Sequence, residues 1–167
     1  MSTTREKYPI TQGEVHMSYS HDITNEIKSY LQDKDIKYSF DQEKGRFTII
    51  FDIRSKLQNT TLNVMVHDDY VLAVATCPLS AKDCLPEMAE FTTRVNYAVR
   101  NGNFDMDFND GAISYRCYLN CKDNIPTRDG IEETLALPVA MMSRYGDSIV
   151  SVIFGVQSPK EAIEAYN

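Results

Sequence analysis

Apolar side chains fall three or four positions apart from Ile23 to Leu31, two apart from Tyr38 to Ile53, and three or four apart again from Met88 to Ala98. The first spacing, Ile23, Ile27, Tyr30 and Leu31, predicts an amphipathic helix capped by Ser20 or Asp22 and ending near Asp33 to Asp35. The period of two predicts a hairpin. With Lys44 and Gly45 as a two-residue loop, Phe40 opposes Ile49 and Tyr38 opposes Phe51, which keeps the apolar residues on one face. A second hairpin follows in TTLNVMVHDDYVLAVATC, with Asp68 and Asp69 at its turn. Its alternation is less clean, as expected if parts of both faces are covered.

Leu85 and Pro86 open a helix read through Asn101, with Met88, Phe91, Val95 and Ala98 inward and Glu90 paired to Arg94 outward. Gly102 is expected to stop that helix in a left-handed conformation. In the hairpin beyond it, an Asp110-Gly111 turn places Phe104 opposite Cys117, Met106 opposite Tyr115 and Phe108 opposite Ile113, with Asp105 meeting Arg116 on the other face. Asn96 either faces away from the apolar stripe or bonds locally. Thr127 can cap a further helix with the stripe Ile131, Leu135, Val139 and Met142, bent or divided at Pro138 and Gly146. Ser158, Pro159 and Glu161 form a capping-box signature for a short terminal helix.

The order is αββββαββα plus that short helix: an α+β fold in which helices cover an antiparallel sheet of hairpins. Residues 1–19 read as a tail, and residues 20–167 as a single domain, a size that 167 residues in all comfortably allow.

Four stretches resemble the YbjN-like family, described as bacterial sensory transduction regulators with a fold similar to the type III secretion chaperones. They are RVNYAVRNGNFDMDF, DGAISYRCYL, SRYGDSIVSVIFG and SPKEAIEAYN, and with the preceding helix and hairpins the likeness runs from about Ser20 to Tyr166. The resemblance implies helices on a single sheet, a homodimer, and binding of another protein rather than turnover. It brings no catalytic residue. The extra N-terminal segment departs from the pattern.

Charge narrows the partners. With 17 Lys and Arg against 24 Asp and Glu, the net charge is -7, and no basic run or stripe exists to attract nucleic acid or an anionic membrane. No apolar stretch approaches a membrane span or a signal-peptide core, so a cytoplasmic protein is expected, with Cys77, Cys84, Cys117 and Cys121 as reduced thiols. Their C-x6-C and C-x3-C spacings argue against zinc.

The remaining candidate chemistry reads as structure. His16, His21 and His67 lie in the tail or beside a turn, where no oriented catalytic base is suggested. His67, Asp68 and Asp69 have the chemistry of a cation site, but a polar turn accounts for them. Counted from Asp105, the DMDFNDG string has Asp110 where a calcium loop needs glycine and Arg116 where it needs glutamate. No glycine-rich nucleotide loop is present. Met141 and Met142 are the candidates for lining a partner groove. The expectation is a non-enzymatic, protein-binding regulator or chaperone-like protein with no catalytic, cofactor or metal residues. The alternative is a small enzyme or ligand-binding protein with an unrecognised pocket.

Overall fold

The structure, a computed structural model, describes residues 18–166. Of the expected tail, all but Ser18 and Tyr19 lies outside those residues. In chain order the elements are α1 (His21–Asp33), β1 (Ser39–Asp41), β2 (Arg46–Asp52), β3 (Asn59–Val66), β4 (Tyr70–Ser80), α2 (Leu85–Ala98), β5 (Asn103–Met106), β6 (Ala112–Asn120), α3 (Arg128–Ile153) and α4 (Pro159–Glu164). The six strands form one antiparallel sheet in the order β1-β2-β3-β4-β6-β5. The expected order αββββαββα plus a short helix is therefore the observed one.

The period of two becomes burial. Phe47, Ile49, Leu62, Val64, Ala73, Ala75, Tyr115 and Cys117 point to the face where Ile27, Met88, Phe91, Ile131 and Met142 of the helices meet them. In β3 and β4 burial alternates strictly, so the unevenness of that hairpin does not reflect cover on both faces. Among the described residues the helices pack on the inward face, and the outward side chains are half-buried on β3 and β4 and exposed at Ile50, Arg116 and Tyr118.

Both flanking hairpins are paired two residues away from expectation. Phe40 opposes Phe47 and Ser39 opposes Thr48. Phe104 opposes Tyr115 and Met106 opposes Ile113. The loops are four residues long because an aspartate opens each and a glycine closes it. Asp41 Oδ1 accepts from the N–H groups of Glu43 (3.0 Å) and Lys44 (3.1 Å), and Asp107 Oδ1 accepts from Asn109 N–H (2.8 Å). Gly45 and Gly111 then take φ values of +59° and +73°. A slip of two preserves the faces. Phe108 nevertheless leaves the sheet and stands exposed in the loop, and Asp105 sits opposite Ser114, reaching Arg116 Nε diagonally at 2.6 Å.

The helices also differ in detail. α2 ends at Ala98, which is exposed, so Gly102 stops nothing; it lies in the connection to β5 with φ +73°. α3 is one uninterrupted helix through Pro138 and Gly146. Gly146 is not a break but a close approach, since a Cβ there would strike Ser55 Oγ. The caps at Ser20, Thr127 and Ser158 stand as expected, the last as a full capping box.

Candidate functional site

α1, the end of β2 and the middle of α3 enclose an apolar groove of about 340 Å³. Tyr30 and Leu31 come from α1, Phe51 and Ile53 from β2 and the residue beyond it, and Leu135 and Val139 from α3. Each arrives through its local pattern: two helical stripes and a strand alternation converge because α1 and α3 both pack against this side of the sheet. Tyr30 lies at the groove wall, where burial pushes its hydroxyl pKa upward, with Glu132 adding to the rise. The ion pairs Arg128–Asp33 (2.6 Å) and Lys34–Glu132 (3.2 Å) link α1 to α3 nearby. Both are exposed, so they orient more than they stabilise, at about 0–1 kcal/mol each.

Among the described residues, the groove runs beside a strand edge that is partly bare. β1 covers β2 only as far as Thr48. On the other side, Ile53 N–H bonds Gln58 C=O at 2.8 Å and Val66 N–H bonds Gly45 C=O at 2.9 Å, so odd-numbered residues of β2 direct their backbone groups toward β3. Even-numbered residues direct theirs outward. Arg46 and Thr48 meet β1, whereas the N–H and C=O of Ile50 and Asp52 face outward beyond its end. Had Tyr38 opposed Phe51, β1 would have covered this stretch; the four-residue loop uncovers it.

The opposite edge of the sheet is treated differently. Asn96 of α2 donates from Nδ2 to Phe104 C=O (2.9 Å) and accepts Phe104 N–H on Oδ1 (2.8 Å), standing in for a neighbouring strand. The polar residue with no evident role in the sequence is thus the clamp that closes the β5 edge.

The other candidates separate. Met142 is fully buried in the core and Met141 is buried beside Tyr145, so α3 lines the groove with Leu135 and Val139 instead of the methionine pair. His67 stacks on Tyr70 with ring centroids 4.0 Å apart, and Asp68 accepts from Ser18 Oγ at 2.5 Å. His21 lies against Tyr19, and His16 is outside the described residues. In the DMDFNDG string, Asp105 binds Arg116 and Asn103, Asp107 opens the loop by accepting from Asn109 N–H, and Asp110 accepts from Ala112 N–H. Among the described residues no three His, Cys, Asp or Glu side chains converge as metal ligands. Cys77 and Cys117 are buried thiols whose pKa values burial pushes up to about 11. Within the same residues no helix is long and apolar enough to cross a membrane.

A family model described as "YbjN: Putative bacterial sensory transduction regulator" matches residues 24–150, spanning all the elements from α1 into α3. The chain belongs to the YbjN family. No curated protein matches it in sequence. Among solved structures, YbjN from E. coli, described as "a putative transcription regulator", is similar with a TM-score of 0.50 and 11% identity over 77% of this chain and 96% of that one. At that identity what is shared is the YbjN fold. The type III secretion chaperone SycH from Yersinia pestis, solved in complex with a stable fragment of YscM2, is similar with a TM-score of 0.43 and 9% identity over 81% of this chain and 99% of that one.

Proposed function

We propose that this YbjN-family protein is a non-enzymatic, cytoplasmic regulator or chaperone that binds another protein, taking an extended segment of its partner as an added strand on β2. The observation that carries the reading is the pair of outward backbone groups at Ile50 and Asp52 beside the apolar groove. Strand addition draws affinity from main-chain bonds and specificity from alternate side chains, and an added strand here would direct every second side chain toward Leu31, Phe51 and Leu135. Each leucine-sized anchor buried there contributes about 1.5–3 kcal/mol before ordering costs, so the anchors add to the main-chain bonds and do not suffice alone. The acidity of the chain, -7 overall, favours partners that are neutral or basic. The same reading takes residues 20–167 as a single domain and the protein as a homodimer.

The test is selection of peptides of about twelve residues from a random library, with affinity capture from the native cytoplasm to match them to a client. The selected peptides should alternate apolar and polar residues and lose binding to Asp52→Pro and to Val139→Asp. Proline at position 52 removes one outward N–H but no bond of the β2–β3 ladder, so the fold should survive. Peptides that bind both variants as well as the original chain would refute the reading.

A further inference from the structure

We infer that the face of the sheet left uncovered by helices among the described residues is where a second copy of this chain docks, sheet against sheet about a two-fold axis. This rests on the homodimer part of the proposed function and is independent of the client groove. In an antiparallel sheet with one face in water, outward positions ordinarily carry polar and charged side chains. Here the outward positions of the two central strands are Thr61, Asn63 and Met65 of β3 and Leu72, Val74 and Thr76 of β4, none of them charged. Across β6, Tyr118 stands 57% exposed and stacks on Tyr70, which in turn stacks on His67. Ile50 of β2, 72% exposed, extends the apolar surface to the other side.

Charge selects the occupant. Two of the charged side chains bordering this face are matched, Arg116 to Asp105 and Arg46 to Asp41, while Asp52 at the exposed end of β2 has no ion pair among the described residues. A chain with a net charge of -7 repels its own copy over most of its surface, and least across a face whose centre is neutral and whose rim charges are, Asp52 apart, self-paired. A self-complementary patch of that kind meets the requirement of a two-fold interface, where the same surface serves both partners. Area agrees. Six strands at about 4.8 Å spacing and about seven residues at 3.3 Å give a face of roughly 600 Å², the lower end of what each partner contributes to a stable complex. Two such sheets pack about 10 Å apart with their strands some 30° off parallel, as in a β-sandwich.

Light scattering and sedimentation of the full chain at about 100 micromolar, compared with the double variant Leu72→Glu and Val74→Glu, test the inference. The expected result is a dimer that becomes a monomer in the variant, with the dissociation constant raised at least about 100-fold and the circular dichroism unchanged, since both side chains face outward. Should that variant fail to fold, Leu72→Thr with Val74→Thr keeps strand-forming side chains and should still weaken the dimer at least about tenfold. A wild-type dimer that persists in both variants would overturn this face while leaving the homodimer standing. A wild-type monomer would overturn both, and one that dimerises only after removal of residues 1–17 would assign the face to that segment instead.

Discussion

Gly102 holds a φ of +73°, and a Cβ placed there would lie 2.6 Å from Arg116 C=O and 2.6 Å from the Tyr115 ring. The left-handed conformation follows from the sequence, because a glycine after a helix and before a strand marks such a turn. The close approach to β6 does not follow, because it depends on Tyr115 reaching back to donate its hydroxyl to Asn101 C=O at 2.5 Å. Gly102→Val should therefore cost more than the roughly 1–2 kcal/mol of the backbone conformation alone. A urea midpoint unchanged from the parent would contradict this. Asn96 shows the same limit of reading by sequence. An amide on the flank of an apolar helix stripe has no assigned partner until β5 is seen to end the sheet beside it.

At the scale of elements, the sequence DQEKG at 41–45 and the sequence DFNDG at 107–111 follow one rule, aspartate first and glycine fifth. Helix and strand identities were legible because hydrophobic period depends only on which face is buried. Pairing register was not, because it turns on an aspartate side chain capping the loop and on a glycine closing it. A two-residue slip is silent to the period of two, so the pattern of burial survived the error. The unbroken α3 is a similar case: Pro138 removes one backbone bond, but buried residues on both sides, from Ile131 to Val152, hold the helix on the core. At Gly111 a Cβ would strike the Lys82 backbone, whereas at Gly155, with a similar φ of +65°, it would meet nothing within 4 Å. Gly155→Ala should cost about 1 kcal/mol and Gly111→Ala clearly more. Equal thermal shifts for the two variants would argue against the packing of the β5–β6 loop on Ala81 and Lys82, between β4 and α2.

The whole molecule joins features that are remote in sequence, which is why the groove stayed hidden. Leu31, Phe51 and Leu135 each read as ordinary core positions of their own elements, and only the shortness of β1 exposes the edge between them. The buried titratable groups are likewise a property of the assembled sheet. Burial pushes Cys77 and Cys117 from 9.0 to about 11, and Tyr115 from 10.0 to about 12. The folded chain then keeps protons that the unfolded chain releases, so this contribution is complete below about pH 9 and is lost as pH rises toward 11 and 12. The urea midpoint should fall between pH 8 and pH 10.5, and the fall should be shallower in Cys77→Ser. An identical slope in both proteins would rule out the thiol as a cause. Cys84, half-exposed, should be the first of the four cysteines to react with a thiol reagent.

Binding of a partner by strand addition requires the β2 edge beside the groove to be open. Amide hydrogen exchange followed by NMR at Ile50 and Asp52 tests it most directly, using the full chain alone and then with a peptide obtained from the selection. The expected result is fast exchange at both amides in the free protein, slow exchange at Ile49 and Phe51, and at least about 100-fold protection of Ile50 and Asp52 when the peptide is bound. Unchanged exchange at those two amides in the presence of a bound peptide would contradict it.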